Sequence, residues 1–295
     1  MLFLDKMSSG FKIGIIGSEG LIGSWLKRLF EQWGCELTCS DLNTKVKNIE
    51  VVSGCDIIFI AVPLKGTETV IESLKNSFSS SQLLIDCASV KLKIIRKLKE
   101  TPCDILSIHP MFAPYAENLS GERIIVCKQA ESEKTDFVLN TFIKAGFELT
   151  YSDPNEHDRI MGIIQGITHF SSLALILALK NYNLPIEKTL AFASPIYKIR
   201  LALAGRILMQ DPNLYHGIFT DNSFCLKSIQ KYLQDASELQ DIISGNDENE
   251  FRKIFTELKN YLAGFAPQAK EESERLLEFS RAKKVRSSLK SNPSY

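Results

Sequence analysis

The sequence predicts an α/β domain built on a parallel sheet, followed by an all-α domain. Three observations carry this. Strand-like and helix-like segments alternate through the first half. A glycine-rich turn follows the first strand. Past Asp153-Pro154 the periodicity is helical throughout and strand signals stop. The expected domains are 10–153 (sheet), 154–282 (helical) and a flexible tail, 283–295.

The elements follow in order. FKIGII (11–16) reads as a buried strand, and Ile22, Leu26, Leu29, Phe30 and Trp33 then recur at helical spacing. ELTCS (36–40) is a second strand. DIIFIAV (56–62) is a continuous apolar run ended by Pro63, the pattern of a central parallel strand covered on both faces. LLIDCAS (83–89), DILSI (104–108), ERIIVC (122–127) and GFELTY (146–151) complete the series, with a helix over 132–145.

Composition excludes several classes. The chain has 295 residues, 44% hydrophobic and 24% charged, so it is neither disordered nor collagen-like. Lys plus Arg (35) balances Asp plus Glu (35), against the basic excess of a nucleic-acid binder. Seven cysteines, an odd count without a CxxC pair, suggest reduced thiols rather than a disulfide framework, and no metal site is expected. The start, MLFLDKMSSG, does not read as a signal peptide, so a cytoplasmic protein is expected. Residues 160–179 are long enough to cross a bilayer. Gln165, Thr168, His169, Ser171 and Ser172 interrupt them, so the expectation is a buried helix at a domain or subunit interface, with no membrane partner. Five basic residues from Arg281 onward read as a solvated end.

The turn after the first strand is Gly17-Ser18-Glu19-Gly20-Leu21-Ile22-Gly23. Against the GxGxxG dinucleotide fingerprint, Ser18 takes the first glycine position, and Gly20 and Gly23 the second and third. The helix N-terminus behind them offers N–H groups and a positive dipole end to phosphates. Asp41 ends the second strand 18 residues after Gly23, where a carboxylate bonds ribose hydroxyls and repels a 2′-phosphate. The first domain is therefore Rossmann-type and its expected cofactor is NAD. Gly17, Ser18, Gly20, Leu21, Ile22, Gly23 and Asp41, with Val62 and Pro63 beyond the third strand, form the candidate cofactor set.

Further segments are more specific: Asp86-Cys87-Ala88-Ser89-Val90-Lys91, His109-Pro110-Met111-Phe112-Ala113-Pro114, and Glu156-His157-Asp158 with Gln165 and His169 beyond. Ser194-Pro195-Ile196-Tyr197, Gly205-Arg206 and Gln210 to Tyr215 follow. Together they resemble the prephenate dehydrogenases, above all the dehydrogenase half of the bifunctional chorismate mutase–prephenate dehydrogenase, over residues 11–280. The family's DxxSVK, HPMFGP, EHD…QxxxHF, SPIY, GR and QDPxLY are matched in order. Ser18 departs from a usual glycine, Ala113 from the glycine of HPMFGP, and Tyr115 from a common aspartate. No mutase segment is seen upstream, so that activity is not expected.

The resemblance implies NAD-dependent oxidation of prephenate at ring C4 with loss of the C1 carboxylate. His109 would be the catalytic base and Ser89 would orient the C4 hydroxyl or nicotinamide. His169, Arg206, Lys91 and Gln165 would bind substrate, Arg206 because a buried guanidinium needs an anionic partner. Lys198 and Arg200 are weaker candidates, His157 reads as a brace for its helix, and His216 has no assignment. The same chemistry on 4-amino-4-deoxyprephenate or arogenate is the alternative, and a non-catalytic NAD-binding module a remote one. A homodimer through the helical domain is also implied.

Overall fold

The structure is a computed structural model that describes residues 10–115 and 118–290, leaving aside the side chains of 128 and 281–290. The sheet has seven strands: β1 (Lys12–Ile16), β2 (Glu36–Ser40), β3 (Ile57–Ile60), β4 (Leu83–Asp86), β5 (Asp104–Pro110), β6 (Arg123–Lys128) and β7 (Glu148–Tyr151). Between them run α1 (Leu21–Gln32), α2 (Asn48–Gly54), α3 (Leu64–Leu74), α4 (Leu92–Leu98) and α5 (Glu133–Lys144). The strand order is β2-β1-β3-β4-β5-β6-β7. Every residue of β3 and β4 is buried, as their unbroken apolar runs require. Leu26 and Phe30 of α1 and Phe142 of α5 cover one face, while Val51, Ile71, Ile94 and Leu98 of α2, α3 and α4 cover the other. Each such side chain contributes about 1.5–3 kcal/mol on burial.

This order positions a site. From β1 the chain steps one way to β2, and β3 lies on the other side of β1. The crevice where the direction reverses, at the carboxyl ends of β1 and β3, is where open α/β sheets bind ligands.

The expected all-parallel sheet is corrected at one place: β6 runs antiparallel to β5, with His109 opposite Ile125. A parallel return needs a crossover, usually a helix. The described residues of 111–122 form no helix, so the chain turns back directly.

Beyond the sheet come α6 (Pro154–Met161), a π-helical segment (Gly162–Ile167), α7 (Thr168–Asn181), α8 (Ile186–Ala191) and α9 (Pro195–Leu208). Then follow α10 (Pro212–Asp221), α11 (Ser223–Ser244), α12 (Glu248–Tyr261) and α13 (Ala266–Lys290). Residues 283–290, expected as tail, continue α13. The remainder of that tail and residues 1–9, with the N-terminal stretch examined for a signal, lie outside the described residues.

Two compact units result, one running through Ile164 and including Asn213–Leu226, the other Gln165–Pro212 and the described residues from Lys227 onward. The boundary drawn at 153 from sequence differs from this. Hydrogen bonding explains why α6 and α10 stay with the sheet. The Asp158 carboxylate accepts the backbone N–H groups of Lys91 (2.8 Å) and Leu92 (2.9 Å) at the start of α4. Asn222 Nδ2 donates to the Asp158 carbonyl at 2.8 Å, and Lys93 pairs with Asp221 at 2.8 Å.

In the second unit α7 and α13 pack on α9. Within the single chain no residue of α7 is buried. Leu177 on α7, Leu203 and Leu208 on α9, and Met209 just beyond it are exposed. The stretch Pro154–Asn181 is long and apolar enough to cross a membrane by length and composition.

Candidate active site

The nucleotide-type turn is built by close approach. Gly17 follows β1 at φ +90°, a left-handed conformation that glycine adopts without strain. A Cβ there would also lie 2.7 Å from the Ala61 carbonyl oxygen. Gly17 therefore makes the tight turn, which explains how Ser18 is tolerated beside it. The Gly17 and Ser18 N–H groups bond the Ser40 carbonyl at 2.8 and 3.1 Å, tying the turn to β2. A Cβ on Gly23 would lie 2.0 Å from the Gly17 oxygen, so only glycine lets α1 seat against the loop.

The Asp41 carboxylate lies at the same crevice. Its Oδ2 accepts the Glu19 N–H at 2.9 Å and its Oδ1 the Leu42 N–H at 2.7 Å. Each carboxylate oxygen has two lone pairs, so capacity for ribose hydroxyls remains. A cavity of about 830 Å³ opens there, lined among others by Gly17, Gly20, Asp41, Val62 and Pro63. Ser18, Leu21, Ile22 and Gly23 do not line it; Ser18 and Gly23 are buried in the turn. Lys47, Asn48 and Lys65 also line it, and sequence reasoning missed them. Their signal is faint, since they lie at the starts of α2 and α3 and belong to no motif.

The second cluster lies behind β5. His109, near the carboxyl end of that strand, is 5% exposed. Its Nδ1 lies 2.9 Å from His157 Nε2, and His157 Nδ1 lies 2.8 Å from Asp158 Oδ1. His157 and Asp158 are each 1% exposed. Burial above all, then His157 and the Lys91 ammonium, hold the His109 pKa well below its usual value. The imidazole is therefore neutral at physiological pH and able to take a proton. Ser89, half-buried, lies in the connection between β4 and α4.

Lys91 does not stand where a substrate could meet it. Its side chain is fully buried, and Nζ donates to Asp86 Oδ1 (2.8 Å) and to the Ile108 carbonyl (2.6 Å). An ammonium buried in this setting must be paired, and Asp86 pairs it. The expected substrate contact becomes an internal ion pair bonded to the strand that carries His109.

Gln165, His169 and Arg206 belong to the second unit. Gln165 lies in the π-helical segment and His169 on α7, both half-buried, and burial lowers the His169 pKa. Arg206 on α9 is exposed. The argument that a buried guanidinium demands an anion there therefore fails within this chain. Lys198 is half-buried, while Arg200 and His216 are exposed. Among the described residues no group of His, Cys, Asp and Glu could hold a metal ion.

Sequence reasoning missed the part played by His157 and Asp158. A His-Asp dipeptide after an Asp-Pro helix start was the available signal, but only the fold brings it to His109, 48 residues earlier.

Comparison with known proteins gives two family matches. The model described as prephenate dehydrogenase, nucleotide-binding domain, matches residues 33–145. The model described as prephenate dehydrogenase, dimerization domain, matches residues 153–257. The two together take in well over half of the chain. The chain belongs to the prephenate dehydrogenase family. A probable arogenate/prephenate dehydrogenase of Methanocaldococcus jannaschii is 30% identical over 280 residues, covering 88% of this chain and 63% of that protein. The T-protein of Haemophilus influenzae is 28% identical over 268 residues, covering 90% of this chain and 71% of that protein. Among solved structures, Synechocystis arogenate dehydrogenase superposes with a TM-score of 0.69 at 21% identity, over 86% of this chain and 99% of that one. This last likeness supports the fold: a sheet domain, then helices.

Proposed function

We propose that this family member is an NAD-dependent dehydrogenase that oxidatively decarboxylates prephenate to 4-hydroxyphenylpyruvate, in tyrosine synthesis. The observation that carries the reading is His109: a buried, neutral imidazole near the carboxyl end of β5 with its Nδ1 fixed by a second histidine. The Gly17–Gly23 turn, Asp41 and the 830 Å³ cavity suit a dinucleotide. NAD, when bound, supplies the hydride-accepting ring. This chain's residues do the rest. The turn and Asp41 hold the pyrophosphate and ribose, His109 takes the hydroxyl proton, and Ser89 orients that hydroxyl. His169, Gln165 and Arg206 hold the substrate's carboxylates. Arogenate and 4-amino-4-deoxyprephenate carry the same ring chemistry and are the alternatives.

A second copy of the chain covers the exposed apolar side chains of α7 and α9, which fits a family whose helical domain is described as a dimerization domain. We place the homodimer in the cytoplasm.

The test is the initial rate of NADH formation with prephenate, arogenate and 4-amino-4-deoxyprephenate. Prephenate is expected to turn over best, and His109→Asn to lower kcat by about 10³-fold while NAD still binds. Turnover of none of the three, or an unchanged kcat in H109N, overturns the reading.

A further inference from the structure

The three side chains behind β5 form one chain of hydrogen bonds whose proton positions follow from its far end. Asp158 is a carboxylate that accepts two backbone N–H groups of α4, and a carboxylate accepts only. His157 Nδ1, 2.8 Å away, therefore carries its proton and donates it to Asp158 Oδ1. With that single proton, His157 has a bare Nε2, which accepts from His109 Nδ1 at 2.9 Å. His109 is thus protonated on Nδ1, and its basic lone pair is on Nε2.

We infer that His157, backed by Asp158, stores the proton that His109 removes from the substrate and returns it within the same turnover. This rests on the dehydrogenase reading above. As the hydroxyl O–H bond breaks, its proton goes to His109 Nε2, and the C4–H electron pair leaves as hydride to the dinucleotide. His109 then carries two N–H bonds. Its Nδ1 proton passes to His157 Nε2, so His109 is again neutral and the positive charge lies on His157. The C1–carboxylate bond then breaks, carbon dioxide leaves, and the bond's electron pair aromatises the ring to a phenolate. The phenolate takes back the His109 Nε2 proton, and His157 returns its proton to His109 Nδ1. Substrate, NAD and protein give phenol, carbon dioxide, NADH and unchanged protein, with no net proton released.

That balance suits the burial. A store that must return its proton needs no path to water, and His157 is 1% exposed. The surrounding charges favour the transfer. On the His109 side lie the ammonium of Lys91, the residue before α4, and its partner Asp86 of β4. On the far side Asp158 faces His157 directly. Asp153 caps α6 through its side chain. Cys127 on β6 and Cys225 on α11 border the cluster as neutral thiols, burial holding each up to about 11. Moving the charge to His157 takes it away from Lys91 and onto a carboxylate contact. His157 is thereby a positioning residue that acts through His109.

The test substitutes His157→Gln, whose amide oxygen still accepts from His109 Nδ1 and whose NH₂ still donates to Asp158, but which takes up no proton. The expected result is kcat lowered about 10²-fold with KM and NAD affinity kept. The solvent-deuterium proton inventory on hydride transfer should change from bowl-shaped in the wild type to linear in H157Q. Wild-type kcat and a curved inventory in H157Q overturn the proposal. Should H157Q fail to fold, ¹⁵N-imidazole NMR of the wild type decides. Nδ1–H with bare Nε2 on both His109 and His157 supports the store, and an Nε2–H tautomer of His109 overturns it. A wild type that oxidises none of the three substrates defeats the dehydrogenase reading, while the NMR result stands apart.

Discussion

The two units handle apolar surface in opposite ways. The sheet unit closes on itself: its central strands and the inner faces of α1 through α5 are buried, and even its deepest charge, Lys91, has its counter-ion. The helical unit does not: α7 buries no residue, and Leu203, Leu208 and Met209 face outward. One unit is a finished core, with its fully buried ammonium held by a carboxylate. The other leaves apolar groups exposed, the surface that the proposed dimer would cover.

That contrast can be broken from either side. The largest effect is expected on the closed side. Lys91→Met leaves Asp86 charged and unpaired in the interior, and should cost about 3–5 kcal/mol of unfolding free energy in urea titration. A variant as stable as the wild type would mean that the pair is not what closes this interior. On the open side, Leu203→Glu with Leu208→Glu places two charges in the proposed dimer face. Sedimentation should show monomers, with a loss of about 2–4 kcal/mol of association and the sheet unit's melting unchanged. A dimer that persists would move the interface elsewhere.

The smallest effect sharpens the comparison through pH. His109 has a folded-state pKa below its unfolded one, so on acidification the unfolded chain takes up the proton first. Stability is full above about pH 6.5 and falls as pH drops below it, by up to about 1.4 kcal/mol per pH unit for this one group until its folded pKa is reached. Denaturant titrations between pH 7.5 and 5.5, stepped by roughly half a unit, should show the loss in the wild type and not in His109→Asn.

Much of this was legible beforehand. All seven strands could be read because buried strands are written as short apolar runs, and the turn because glycine is the only residue that lets α1 meet it. Ser18 looked like a defect from spacing alone, since the glycine with positive φ is its neighbour Gly17. The direction of β6 was not legible: a strand's pattern reports burial, not polarity, and only the missing crossover helix held that information. Lys91 was misread because a lysine two residues beyond Ser89 looks available until the fold closes over it. The burial argument for Arg206 failed for the reverse reason, since an apolar helix suggested burial that the single chain does not supply. His157 was read as a brace, which its bond to Asp158 supports, but its other nitrogen meets a residue far back in sequence.

Asp158 closes the start of α4 and also fixes the histidine behind His109, yet it is translated after all seven strands. A nascent chain that has emerged only as far as Tyr151 holds the complete sheet and the glycine turn. It has an uncapped helix and a His109 imidazole with no second histidine to hold it. In the proposed dehydrogenase the nucleotide pocket is therefore ready before the base is armed, and a truncation placed at the end of the last strand would bind cofactor without gaining chemistry.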